Sequence, residues 1–275
     1  MTKATATTQT VAVLGTGKIG EALLSGMIRA GWHPKNLLVT TRRPERAEEL
    51  STRYGVEAVT TAEAAKRAET LILAVKPQDM GKLLDELAPH TTPAHLLISA
   101  AAGIPTTFIE DRLPHETPVV RVMPNTPVLV DEGMSVISAG THATPTHLTH
   151  TTEIFGAVGK TLRVPESQQD AATALSGSGP AYFYYLVEAM TDAGILLGLP
   201  RAQAHDLIVQ AAIGAAVMLR DSGEHPVKLR EAVTSPAGTT ISAIRELENH
   251  GVRAALIAAL EAARDRSREL ASGNG

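Results

Sequence analysis

Val11-Ala12-Val13-Leu14-Gly15-Thr16-Gly17-Lys18-Ile19-Gly20 is the stretch on which the fold turns. Four apolar residues in a row, ended by a glycine, predict a short strand buried on both faces of a parallel sheet. Gly15, Gly17 and Gly20 fit G-x-G-x-x-G, with Thr16, Lys18 and Ile19 between them. From Ile19 to Ala30 the pattern is helical, and Gly31 supplies the stop. Between strand and helix, such a turn holds a dinucleotide pyrophosphate. Its first glycine allows the tight bend and its second lets backbone approach the phosphates. The third lets the helix pack closely on the strand.

Working outward, apolar runs at Leu37 to Thr40, Leu71 to Val75, Leu96 to Ile98, Val119 to Met123 and Ser135 to Ser138 predict further strands. Helical segments such as Pro44 to Tyr54 separate several of them. This alternation predicts an α/β fold: a Rossmann-type, doubly wound parallel sheet over residues 1–165. After Pro165 no strand candidate remains, and Ala-rich helical segments near 181–198, 202–220 and 251–270 predict an all-α C-terminal domain over residues 166–275. Ala211 to Leu219 has no polar residue on any face. A helix apolar all round must be covered on all sides. A helical domain of roughly 110 residues has limited interior, so a second subunit is the expected cover, making this a dimerisation domain. The alternative places the helix at the centre of its own domain. Tyr182, Phe183, Tyr184 and Tyr185 are expected in core and interface.

Across 275 residues the net charge is -4 and the pI near 6.2, which argues against nucleic acid as a partner. The absence of cysteine excludes disulfides, thiolate nucleophiles and thiolate metal sites, and fits a reducing cytoplasm. The Thr-rich start lacks the apolar core of a signal peptide. Ala202 to Leu219 carries Gln203, His205, Asp206 and Gln210, which a membrane span would avoid. A soluble cytoplasmic protein with no membrane partner is expected. His142, His147 and His150 share their spacing with one carboxylate, Glu153, so they are expected to decorate an exposed helix, and no metal site is expected.

The second strand ends in Thr40-Thr41-Arg42-Arg43, without the acid that would bond a ribose 2′-OH. Thr41, Arg42 and Arg43 suit a 2′-phosphate instead. NADP is therefore the expected cofactor, with NAD left open. Near the other end, Ser235-Pro236-Ala237-Gly238-Thr239-Thr240 precedes a helical pattern at Ile241, Ile244 and Leu247. Three hydroxyls and the amides of Gly238, Thr239 and Thr240 at a helix N-terminus suit a carboxylate. An ordinary helix cap built from Thr239 or Thr240 is the alternative.

Five motifs in one order carry a family resemblance: Ala74-Val75-Lys76-Pro77, Ser99-Ala100-Ala101-Ala102-Gly103-Ile104, Arg121-Val122-Met123-Pro124-Asn125-Thr126-Pro127, Leu175-Ser176-Gly177-Ser178-Gly179-Pro180-Ala181-Tyr182, and the Ser235 to Thr240 loop. Together they resemble the pyrroline-5-carboxylate reductase family, from about Val11 to Leu270. The resemblance implies reduction of Δ1-pyrroline-5-carboxylate to L-proline by a hydride from NADPH or NADH. It implies that Ala74, Val75, Lys76 and Pro77, with Ala100, Ala101 and Ala102, line the nicotinamide end of the cofactor. Asn125, at the next strand end, is expected near the cofactor too. The loop of Ser235, Gly238, Thr239 and Thr240 would bind substrate, with Ser235 on the carboxylate and Thr240 on the ring nitrogen as catalytic residues. The family's helical domain interlocks with a partner, which implies a homodimer; larger rings of dimers are known.

Two positions depart from the family pattern. Ala237 stands where a second glycine is common, so the loop is expected to match only if Ala237 keeps ordinary dihedrals. Thr61 stands where a longer Asn sometimes contacts adenosine. Lys76 is either a general acid or solvated. A 3-hydroxyacid dehydrogenase would carry a Lys on the helix after its second glycine motif, and Pro180 to Leu199 has none. A related imine reductase and a non-catalytic NADP-binding protein are the other rivals; the latter has no need of the Ser235 to Thr240 loop.

Overall fold

The computed structural model describes residues 9–114 and 116–271; most of the Thr-rich start lies outside them. The chain divides into two compact units, residues 1–178 with 264–275, and residues 179–263.

The first unit opens with β1 (Val11–Leu14) and α1 (Lys18–Arg29), then β2 (Leu37–Thr40), α2 (Pro44–Tyr54), β3 (Glu57–Ala58) and α3 (Thr61–Arg67). It continues through β4 (Thr70–Leu73), α4 (Met80–Leu87), β5 (Leu96–Ser99), α5 (Thr106–Glu110) and β6 (Val119–Pro124). Last come β7 (Gly133–Ala139), α6 (Pro145–Gly156), β8 (Gly159–Arg163), α7 (Gln169–Ala172) and a π-helical turn over Thr173–Gly177.

All eight strands form one sheet in the order β3-β2-β1-β4-β5-β6-β7-β8. From β3 to β6 every pairing is parallel, the dinucleotide-binding order. The edge departs from the all-parallel expectation. β7 runs antiparallel to β6 and β8 parallel to β7. The link between Pro124 and Gly133 suits a hairpin connection but is too short for a crossover helix. β3 and β8 had no apolar run to announce them. One has only two residues, and the other, Gly-Lys-Thr-Leu-Arg, is mostly exposed at the sheet edge.

β1 shows why the first stretch folds as it does. All four of its side chains are fully buried. Val11 and Val13 join the layer of Leu23, Leu24 and Met27 from α1, while Ala12 and Leu14 join that of Leu83, Leu84 and Leu87 from α4. Each fully buried leucine contributes about 1.5–3 kcal/mol.

His147 and His150 correct the expectation of an exposed histidine face. His147 closes a capping box with Thr144 at the start of α6. His150 is half-buried, its Nε2 is 3.2 Å from the Thr70 hydroxyl, and its ring centroid is 6.0 Å from that of Trp32.

The second unit holds α8 (Gly179–Leu196), α9 (Arg201–Asp221), α10 (Pro226–Ala232), α11 (Thr239–Asn249) and most of α12 (Val252–Ala271). Gly198, at φ 92°, turns the chain from α8 to α9. A Cβ on Gly194 would lie 2.6 Å from the Ala204 Cβ, so the two helices almost touch there. Ala204 is the only buried residue of α9. Leu207, Ile213 and Met218 are 60%, 51% and 56% exposed, which overturns the alternative of a domain-centre helix. Phe183, Tyr184 and Tyr185 are exposed as well, so the aromatic run is not core in the single chain. By length and mean hydropathy of 1.3, α9 could cross a membrane; Gln203, His205, Asp206 and Gln210 interrupt its apolar surface.

Candidate active site

A cleft of about 960 Å³ opens at the carboxyl ends of β1, β2 and β4, where doubly wound sheets bind ligands. Its floor is the glycine turn. Gly15 has φ 95°, and a Cβ there would lie 2.9 Å from backbone atoms of Ala74. A Cβ on Gly20 would lie 2.1 Å from the Gly15 carbonyl oxygen, so α1 packs against the turn with no room for a side chain. Around Gly17 there is open space, and Gly17 caps α1 with no side chain over the helix amides. Backbone close on one side and open on the other is the cradle a pyrophosphate requires.

Behind the turn, Glu21 accepts hydrogen bonds from Arg46, Arg53 and Tyr54. Burial pushes the Glu21 carboxyl up, but these donors and the two guanidinium charges outweigh it and hold it below its ordinary value. Arg46 also reaches the Thr16 carbonyl at 3.4 Å, bracing the glycine turn.

Gly15, Thr16, Gly17, Thr41, Arg42, Arg43, Ala74, Val75 and Lys76 all line the cleft. Lys18, Ile19 and Gly20 form the first turn of α1, and Pro77 starts the short 3-10 turn Pro77–Asp79 beside the wall. Ala100, Ala101 and Ala102 follow β5 and do not line this cleft; Ala101 is 3% exposed. The side chain of Asn125 is engaged elsewhere. Its Nδ2 donates to the Ser176 carbonyl at 3.0 Å, and its Oδ1 accepts from the Met134 amide at 2.8 Å.

Sequence reasoning missed part of the wall: Thr60, Gln78, Asp79, Lys82, Glu86 and His90. Thr60 had a readable signal, the capping box it forms with Glu63 at the start of α3. Thr61 lies on the same wall and donates to Glu86 at 3.3 Å. Asp79 stands 3.1 Å from Arg42 in an ion pair.

The Ser235 to Thr240 loop lies in the second unit. The Gly238 amide donates to the Ser235 carbonyl at 3.1 Å, closing a turn with Pro236 second and Ala237 third. Ala237 has φ 55°, which corrects the expectation that the loop requires ordinary dihedrals. A positive φ in the third position is what a type II turn demands, so alanine here tolerates a glycine conformation. A Cβ on Gly238 would lie 2.4 Å from the Ser235 hydroxyl. Gly238 is the N-cap of α11 and no side chain caps that helix, so Thr239 and Thr240 are not its caps.

A glycine cradle at the carboxyl ends of a β3-β2-β1-β4-β5-β6 array defines the Rossmann class of dinucleotide-binding proteins, here with an appended helical unit. The family model described as NADP oxidoreductase, coenzyme F420-dependent, matches residues 10–103. The model described as pyrroline-5-carboxylate reductase dimerisation matches residues 166–270. A pyrroline-5-carboxylate reductase of Corynebacterium melassecola is 45% identical, over 95% of this chain and 98% of that protein. The one from Escherichia coli is 37% identical, over 94% and 97%. Among solved structures, a pyrroline-5-carboxylate reductase from Coxiella burnetii superposes with a TM-score of 0.92 at 35% identity, covering 96% of this chain and 99% of that one. The Plasmodium falciparum enzyme with NADP bound has a TM-score of 0.86 at 28% identity, covering 97% and 100%. The chain belongs to the pyrroline-5-carboxylate reductase family.

Proposed function

We propose that this protein reduces Δ1-pyrroline-5-carboxylate to L-proline, the last step of proline biosynthesis. The observation that carries the reading is family membership over nearly the full length, joined to a cleft whose glycine cradle fits a dinucleotide. When bound, NADPH supplies a hydride to C5 of the cyclic imine. The C–H bond forms as the C=N π pair moves onto a nitrogen that carries a proton.

A protonated imine is already a strong electrophile, so positioning and a hydrogen bond to nitrogen matter more than a strong base. Gly15, Thr16, Gly17 and the first turn of α1 hold the pyrophosphate. Thr41, Arg42 and Arg43 face the adenosine ribose and favour a 2′-phosphate. Ala74, Val75, Lys76 and Pro77, with Ala100 to Ala102, face the nicotinamide end. Asn125, at the end of β6, is assigned to the cofactor as well, its side-chain amide held by the Ser176 carbonyl and the Met134 amide. In the substrate loop, Ser235 and the amides of Gly238, Thr239 and Thr240 hold the carboxylate, and the Thr240 hydroxyl bonds the ring nitrogen. Hydroxyls left out of the α11 cap support that role.

The dinucleotide-binding domain spans residues 1–165 and the helical domain 166–275; the dimerisation match from residue 166 supports this boundary. Homodimerisation through the helical domain covers α9, and rings of dimers are the larger assembly to look for. The protein works in the cytoplasm, as its freedom from cysteine suits. The test is NADPH oxidation with racemic pyrroline-5-carboxylate. No oxidation above background with either nicotinamide cofactor overturns the function.

A further inference from the structure

The end of β2 offers two guanidiniums and no acid, yet a carboxylate reaches the same wall from another strand. Asp79 lies in the turn between β4 and α4. Its Oδ1 is 3.1 Å from Nη2 of Arg42. The other carboxylate on the cleft wall, Glu86, accepts from Thr61 instead. Arg42 and Arg43 are neighbours in sequence, both line the cleft, and Asp79 engages the first.

We propose that Asp79 is a specificity-determining residue of the cofactor cleft, pairing with Arg42 to restrain the preference for 2′-phosphorylated nucleotides. The inference rests on the reading of this cleft as the cofactor site. In many dinucleotide folds an acid at the end of the second strand bonds the ribose 2′-OH and repels a 2′-phosphate. Asp79 supplies a comparable negative charge from the turn that follows β4. A phosphate held by Arg42 meets that charge within the width of one guanidinium, and the two compete for the same N–H donors. A ribose bearing a free hydroxyl brings no charge and meets no repulsion. Arg43 then provides the larger share of 2′-phosphate binding, and Arg42 is a partly neutralised reserve.

The experiment is equilibrium binding of 2′,5′-ADP and of 5′-ADP, which carry the adenosine end without the nicotinamide, to wild type, Asp79→Asn and Arg42→Ala. Asp79→Asn keeps the side-chain shape and removes the charge. It should tighten 2′,5′-ADP by about 2- to 5-fold, the size of one exposed charge pair, and leave 5′-ADP unchanged. The gain should shrink as salt rises, because exposed charges are screened. Arg42→Ala should weaken 2′,5′-ADP more in the Asp79→Asn background than in wild type. Unchanged or weaker 2′,5′-ADP binding in Asp79→Asn, with 5′-ADP binding intact, overturns the proposal. Failure of the cofactor-site reading looks different. There, Ala at both Arg42 and Arg43 would leave the wild-type affinities for the two nucleotides untouched.

Discussion

Arg42 and Arg43 occupy adjacent positions but unlike electrostatic surroundings, since the first is paired with Asp79. Replacing both by Ala should weaken NADPH binding by about 1.5–3 kcal/mol, the worth of hydrogen bonds to a charged group, and NADH binding far less. Fluorescence titration separates the two, and equal losses would make both residues mere solvated neighbours of α2. At Thr240 the lost group is one hydroxyl. Thr240→Ala should lower kcat and kcat/KM together by about 3- to 10-fold, and Thr240→Ser should retain most activity. Ser235→Ala should chiefly raise KM for the imine. Wild-type turnover by a well-folded Thr240→Ala protein would remove Thr240 from the chemistry. Ala237 presents a different question, because its φ of 55° lies in the left-handed region. That conformation costs an alanine about 1–2 kcal/mol, while glycine adds about 0.4–1 kcal/mol of unfolded-chain entropy to be lost. Ala237→Gly should therefore be neutral or slightly stabilising in urea unfolding, and Ala237→Val clearly destabilising. Equal loss from both would mean that backbone strain at this turn is not the controlling factor.

Among the elements, α6 carries a pH signature. Burial lowers the pKa of His150, against smaller upward pulls from Glu153 and Glu69, and His147 adds to the lowering. The folded state thus binds the proton less readily than the unfolded chain. The contribution of His150 to stability is complete above the ordinary imidazole value of about 6.5 and falls away as pH drops through the lower folded value. His150→Gln should flatten the fall in stability below neutrality; an unchanged slope would assign it to other groups. The glycine turn gives a steric counterpart. Gly20→Ala places a methyl 2.1 Å from the Gly15 carbonyl oxygen, so α1 must shift and nucleotide binding should collapse. The elements that frame this turn were readable in advance. β1, β2 and α2 announced themselves by unbroken apolar runs or by the Pro44 start, and β2 and α2 have the bounds expected of them. β8 was hidden because an exposed edge strand needs no apolar face. Asp79 was hidden for another reason. Its nearness to Arg42 arises from the parallel alignment of β1, β2 and β4, which no local pattern encodes. The substrate loop was legible as chemistry, while the backbone conformation at Ala237 ran against residue propensity.

For the whole molecule, the apolar surface of the helical unit sets the state of association. Leu196 and Leu197 are 88% and 82% exposed, and Phe183, Tyr184 and Tyr185 on α8 and Leu207 and Leu219 on α9 are exposed to lesser degrees in the single chain. Surface of that kind is a mark of an interaction site. Sedimentation at low micromolar concentration should show no monomer, and Ile213→Glu on α9 should dissociate the assembly. A stable, active monomer would contradict the dimer. The path of the chain has a further consequence. It leaves the nucleotide-binding unit after Ser178 and returns to it at Arg264. There Ser267 donates to Asp170 at 2.7 Å, and the Leu270 Cβ would lie 3.8 Å from a Cβ on Gly103. During translation the ribosome delivers these returning turns only after the entire helical insert. Domains generally fold as units, the N-terminal one first during synthesis, and this unit is complete only when its returning segment has emerged. Here the sheet is synthesised long before its final helical partner, so the nascent chain passes through a stage in which Asp170 still awaits the hydroxyl of Ser267.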